Sequence, residues 1–196
     1  MTERSEEKPG RRGRPRSTAA EIAILDAAYG LIVSKGLAAA TMDAIARASK
    51  VSKMTVYKWW PSREALLIDA FLRHASLMLP LTEEGDPVPT LRRHAAAYAE
   101  ALKSEFGKVQ LAVISECIAK TGSAQLFTER YLDIRRKTAT AIIERGQKEG
   151  SIMAGVAAGD LYDRIYGTLF YRFLFQFRPL SADYARKLVA SLLIPR

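Results

Sequence analysis

The chain is poor in the residues that usually carry chemistry. Its single cysteine, Cys117, excludes an internal disulfide framework and a cysteine-rich metal site. Two histidines, His74 and His94, are too few for a metal cluster, and each stands alone in a helical stretch, where a solvated side chain is expected. There is no nucleophile elbow, no phosphate-cradling glycine loop and no metal-ligand spacing, so neither an enzyme nor a bound cofactor is expected. No apolar run approaches the roughly 18 residues of a membrane span. The first residues are polar and charged, unlike a secretory signal. These absences set the expectation of a cytoplasmic protein with no membrane partner. Sustained period-two alternation is also missing, which argues against strands.

What remains is helical patterning and charge. A chain of 196 residues that is 48% hydrophobic can bury a real core. The net charge is +9, and it is unevenly spread. Residues 1–63 carry 12 Lys/Arg against 6 Asp/Glu, while residues 64–196 carry 18 against 15. Two thirds of the excess therefore sits in one third of the chain. Basicity gathered at one end is the footprint of nucleic-acid binding. A membrane surface also attracts basic segments, but adsorption needs a broad exposed apolar face that this region lacks.

The stretch from Thr41 to Arg63, T-M-D-A-I-A-R-A-S-K-V-S-K-M-T-V-Y-K-W-W-P-S-R, reads as two short helices joined by a tight turn. Thr41 is the expected N-cap of the first, with Asp43 in its first turn. Met42, Ile45 and Ala46 share one face. Ser52 is the expected cap of the second helix, which Pro61 ends. Val56 and Trp60 can pack inward with Val51. Lys53, Met54, Thr55, Tyr57, Lys58 and Trp59 are left for the other faces. From Ala44 to Arg63 there are five basic residues (Arg47, Lys50, Lys53, Lys58, Arg63) and no acidic one. A solvated helix usually mixes both signs, so this face points to a polyanion. A positive helix with hydroxyls and amphipathic aromatics after a short turn is what a helix-turn-helix places in the DNA major groove.

The run I-A-R-A-S-K-V-S-K-M-T-V-Y-K-W-W-P-S-R-E-A-L-L resembles the DNA-binding signature of the TetR/AcrR family of bacterial regulators, specifically over residues 22–71 and in architecture beyond. The resemblance implies that Thr41, Tyr57, Trp59 and Arg63 hold phosphates. It implies that Lys53, Met54, Thr55 and Lys58 face base edges or nearby phosphates, with Lys50 and Ser52 in the same surface. Trp60 stands where the family usually has a core Phe. Lys50 departs from the glycine common in the family's turn; a left-handed backbone there would cost a non-glycine residue roughly 1–2 kcal/mol.

Around this unit, residues 1–17 read as a basic arm that is disordered when free. Arg12, Arg14 and Arg16 in R-R-G-R-P-R suit a minor groove, and equally a solubilising tail that touches phosphates loosely. T-A-A-E at 18–21 predicts a capping box opening helix 1, with Ile22, Leu25, Tyr29, Ile32 and Val33 as its apolar stripe and Gly36 as its C-cap. The expected division is a helix-turn-helix domain over 18–63, a connecting helix over 64–79 capped by Ser62, and a helical regulatory domain over 80–196. P-L-T-E-E-G-D-P-V-P at 80–89 marks the boundary. Further helices are expected over about 90–106, 108–120, 124–149, 158–177 and 181–193. The fold class is thus all-α, with about nine helices.

Residues 162–177 place apolar groups nearly all round their helix, so more than one side needs a partner. By resemblance, Tyr162, Phe173, Phe177, Tyr184, Leu188 and Leu192 form a homodimer interface; a central helix buried within one monomer is the alternative. The resemblance also implies an apolar pocket for a small-molecule effector, with Tyr98, Phe106, Cys117, Phe127, Tyr131, Tyr166 and Phe170 as candidate lining. For each of these, plain core packing is the commoner role. The expected function is a homodimeric, sequence-specific regulator of transcription, a repressor released from a palindromic operator on double-stranded DNA by a small molecule. A ligand-independent architectural DNA binder shares the basic N-terminus and stands as the alternative.

Overall fold

A computed structural model describes residues 17–119 and 123–194. Among them there are nine helices and no strand. The first four are α1 (Thr18–Lys35), α2 (Met42–Ser49), α3 (Lys53–Trp59) and α4 (Arg63–Met78). Then come α5 (Pro87–Leu102) and α6 (Glu105–Ala119). Helix α7 runs over 123–148 and α8 over 158–175; each contains a five-residue π-helical turn, Thr128–Leu132 and Asp163–Gly167 respectively. The last is α9 (Ala182–Leu193).

The starts of four helices follow from hydroxyl caps. Thr41, Ser52, Ser62 and Ser181 each accept a backbone N–H from three residues on, at 3.1 to 3.2 Å. Helix α1 starts differently from expectation. Ser17 holds the N-cap position without a side-chain hydrogen bond, and Thr18 is already helical, so the expected capping box does not set this end. The buried stripe of α1 is Ile24, Leu25, Ala28 and Ile32, and Val33 is 42% exposed. Helix α1 packs on α4 and α2, and its row 24, 28, 32 at four-residue spacing is buried. Helix α5 begins three residues earlier than expected. Pro87 and Pro89 sit in its first turn, where a missing N–H costs nothing, behind Asp86 at the N-cap.

Helix α4 is the spine. Leu66, Leu67, Ile68 and Phe71 are essentially fully buried, packing α1 on one side and α6 and α7 on the other. One continuous apolar cluster therefore joins the N-terminal helices to the C-terminal ones. Helix α9 lies along α5 and closes the C-terminal bundle. Gly146 lets the end of α7 fold back under Ile152: a Cβ there would come within 2.6 Å of the Ile152 side chain.

Candidate functional site

The N-terminal surface is built by α2, the turn and α3. Lys50 has φ +57 and ψ +25, a left-handed conformation, and its N–H closes α2 onto Ala46 and Arg47. The turn that the family commonly builds with glycine is thus built here with lysine. Val56 and Trp60 are buried, and they aim the rest of α3 outward. Met54 is 84% and Tyr57 56% exposed; Thr41, Lys50, Ser52, Lys53 and Lys58 are exposed too. Thr55 is half-buried, its hydroxyl 2.8 Å from that of Ser52. Trp59 is half-buried as well, packing edge-on against Trp60.

Two basic residues are held by neighbours. Lys53 pairs with Asp43 at 2.6 Å, so the acid of α2 tethers the start of α3. Arg63, expected to hold a phosphate, has partners within the protein. Its guanidinium donates to the carbonyls of Leu37 and Ala40 and pairs with Glu116 of α6 at 2.5 Å. It joins the helix-turn-helix to the C-terminal bundle. Arg12, Arg14 and Arg16 lie outside the described residues.

The second region is a cavity of about 280 Å³ between α5, α6, α7 and α8. Its walls are columns at four-residue spacing: His94 and Tyr98 on α5, Gln110 and Ile114 on α6, Phe127, Tyr131, Arg135 and Ala139 on α7, and Tyr162, Tyr166 and Phe170 on α8. On a regular helix such a column drifts by about 40° at each step. The two π turns, with their wider i→i+5 closure, lie within the long columns of α7 and α8 and absorb that drift. Of the expected lining, Tyr98, Phe127, Tyr131, Tyr166 and Phe170 do line this space. Phe106 and Cys117 do not; they are buried in the solid core, Phe106 against Phe71 with ring centroids 5.1 Å apart.

His94 is not solvated, contrary to expectation. It is buried, and its Nδ1 lies 2.7 Å from the Tyr166 hydroxyl. An Arg135 N–H points at its Nε2 from 2.9 Å. Arginine can only donate, so Nε2 accepts and the proton sits on Nδ1. Burial, and then the Arg135 charge, push the His94 pKa down to about 4, so the ring is neutral at physiological pH. Burial likewise raises the phenol pKa values of Tyr98, Tyr131 and Tyr166, and that of Tyr162 to about 12. His74 stacks on Tyr29 at 3.6 Å between ring centroids.

At the C-terminal end of α8, Tyr171, Leu174, Phe175 and Phe177 are exposed, with Tyr171 packed on both Phe175 and Phe177. Phe173, Tyr184, Leu188 and Leu192 are partly buried against the core, and the Arg172 guanidinium lies 3.5 Å from the Tyr184 ring centroid. Tyr162 stands apart from this face: it is buried and lines the cavity. Sequence reasoning missed His94, Gln110 and Arg135 as cavity residues. The four-residue spacing of Phe127, Tyr131 and Arg135 was the available signal, but a charged residue in such a column reads first as a solvated face.

A capped helix pair that turns four side chains of α3 (Lys53, Met54, Tyr57 and Lys58) to solvent, on a body that encloses a lined cavity, is the arrangement of a helix-turn-helix transcriptional regulator. Residues 24–70 match the model for bacterial regulatory proteins of the tetR family, and residues 81–192 match the tetracyclin repressor-like C-terminal domain. The chain belongs to the TetR family of transcriptional regulators. It is 36% identical to the uncharacterized HTH-type transcriptional regulator YdeS of Bacillus subtilis over 91% of this chain and 90% of that one. It superimposes on the TetR family transcription regulator SCO0332 with a TM-score of 0.78 at 26% identity, covering 88% of this chain and 95% of that one. It has the fold of Thermus thermophilus FadR, a transcriptional repressor in complex with lauroyl-CoA (TM-score 0.66, 19% identity, 90% and 96% covered). Among the described residues no helix is long and apolar enough to cross a membrane.

Proposed function

We propose that the protein is a homodimeric repressor that leaves a palindromic operator when a small molecule fills the cavity. On this reading residues 18–63 bind DNA, 64–79 connect, and 80–196 sense the ligand and dimerise. Thr41, Tyr57 and Trp59 fix register on phosphates, and Lys53, Met54, Thr55 and Lys58 face the bases. The exposed cluster Tyr171, Leu174, Phe175 and Phe177, continuous with Tyr184, Leu188 and Leu192, is the face for the second copy. A palindrome needs two recognition helices roughly 34–36 Å apart, which a dimer supplies.

The observation that carries the coupling is a short path from cavity to recognition helix. Tyr131 lines the cavity and packs on Phe71 of α4, with ring centroids 5.0 Å apart. Its neighbour Arg130 pairs with Asp69 at 2.6 Å, and the same carboxylate oxygen accepts the Trp60 indole N–H at 2.8 Å. A ligand that moves the π turn of α7 thus pulls on the residue that ends α3. Release then follows if the ligand favours a conformer with the wrong helix spacing; the loss of DNA affinity equals the difference in ligand affinity between the two states.

The test is fluorescence anisotropy on the DNA flanking the protein's own gene, against scrambled DNA, across a salt series, with sedimentation to count the copies bound. Specific regulators favour their sites by roughly 10³ or more over random sequence. A saturable site holding two copies is the expected result. Equal, steeply salt-dependent binding to operator-derived, scrambled and selected random DNA would leave only the architectural reading.

A further inference from the structure

The cavity carries one positive charge that no group among the described residues neutralises. Arg135 donates from one terminal nitrogen to the Leu79 carbonyl at 2.8 Å and to His94 Nε2 at 2.9 Å. Guanidinium has five N–H donors, so three remain without a partner among the described residues. Among the described residues no carboxylate lies within ion-pair distance of it. The one acid in the lining, Asp163 at the exposed rim, is already paired with Arg136. A half-buried cation with spare donors is costly to maintain unless something else supplies the anion.

The hydrogen-bond order in the cavity runs the same way. Arg135 donates to His94 Nε2, and His94 Nδ1–H donates to the Tyr166 oxygen. In that order the Tyr166 hydroxyl proton has no acceptor among the described residues, and it becomes a donor to whatever occupies the space. The hydroxyls of Tyr131 and Tyr162 have no hydrogen-bond partner among the described residues either, yet no side-chain polar atom there is buried without one. They therefore open on accessible space. By contrast Tyr98 and Gln110 satisfy each other, at 3.0 Å. The Arg135 charge reaches these groups, since it pulls the phenol pKa values of Tyr131, Tyr162 and Tyr166 downward against their burial. Every unsatisfied polar group facing the cavity thus offers a proton or a positive charge, while Phe127, Phe170, Ile114 and Leu81 supply apolar walls.

We infer that the effector is a small organic acid, a carboxylate on a compact aromatic or short aliphatic body, with its carboxylate held by Arg135 and Tyr166. The inference rests on reading the cavity as the effector site. The size fits: about 280 Å³ holds roughly ten non-hydrogen atoms at the ~30 Å³ that each water occupies in the liquid. Four tyrosines could also cage a quaternary ammonium through ring faces, but Arg135 would repel it and no free carboxylate would answer its charge.

The experiment is calorimetry on the full chain with shape-matched pairs that differ in charge: benzoate against benzamide, phenylacetate against phenethyl alcohol, hexanoate and octanoate against their alcohols, and benzyltrimethylammonium as the cation. The expected result is that at least one acid binds tighter than its neutral partner by roughly 10–100-fold, the range of a charge-assisted hydrogen bond. Arg135→Gln should abolish the preference, so that acid and neutral partner bind alike when both are measured on that variant. Arg135→Lys, which keeps the charge, should retain most of the preference, so a folding defect in one variant does not decide the matter. The idea is overturned if no acid exceeds its neutral partner, if the cation binds best, or if the preference survives Arg135→Gln. Operator anisotropy on the same samples separates the two readings. An acid that binds through Arg135 and leaves DNA bound upholds the ligand class and removes the release reading. A neutral compound that releases DNA while the acids fail does the reverse.

Discussion

On α3, Met54 is 84% exposed and Tyr57 56%, whereas none of the four cavity tyrosines exceeds 8%. The recognition surface gathers its side chains from one short helix and one turn, and its neighbours do little more than hold that helix in place. The cavity draws on four helices, and its polar groups are positioned by one another: Arg135 sets the tautomer of His94, which sets the direction of Tyr166. In the first region function and stability are nearly separable, because an exposed side chain is free to change. In the second they are coupled, because a buried polar group that loses its partner costs ~1–3 kcal/mol by itself.

The largest effect should come where the two regions meet. Trp60→Ala removes a fully buried ring and the indole N–H that ties α3 to Asp69. Its unfolding free energy should fall by ~3–5 kcal/mol, read from urea denaturation, and operator binding should fail with it. If DNA binding survives intact, the recognition helix does not depend on this anchor.

Next comes pH. His94 titrates near 6.5 in the unfolded chain and near 4 in the fold. The unfolded chain therefore binds the extra proton between these values. The stability from a neutral His94 is complete above about pH 6.5 and is lost as pH falls towards 4, by up to ~3 kcal/mol. The difference in urea stability between the protein and His94→Gln should shrink over that window. A constant difference would place His94 in contact with water.

A smaller effect sharpens the contrast from the other side. Lys58→Ala should weaken operator binding by ~1–3 kcal/mol and relax specificity, while its thermal midpoint stays unchanged. Equal losses on operator and random DNA would make Lys58 a phosphate contact only. The smallest change is Lys50→Gly, which relieves a left-handed lysine at φ +57. It should raise stability by ~1 kcal/mol, read as a higher thermal midpoint. A drop would mean that the Lys50 side chain holds the turn.

Much of the DNA-facing unit is local, and that is why it was readable. Thr41, Ser52 and Ser62 cap the helices they precede, Val56 and Trp60 face inward, and Met54 and Tyr57 outward, as four-residue spacing requires. The same reading did not reveal the internal partners of Arg63. A basic residue at a helix start suits phosphate, and only the fold brings Glu116, 53 positions away, within its reach. For His94 the failure was the same in kind, since burial is a property of α5 against α7 and α8 and not of the residues beside it.

The sequence alone determined the helices, their caps, the single-signed recognition face and the family, because each depends on contacts within a few residues or on a contiguous motif. Only the tertiary structure decided which tyrosines face open space and which pack solidly. It alone brought Arg135 to His94 and tied the end of α3 to the π turn of α7. Those relations rest on contacts 41 and 61 positions apart, and chain entropy lets such pairs form only where the whole bundle has already been paid for by its core.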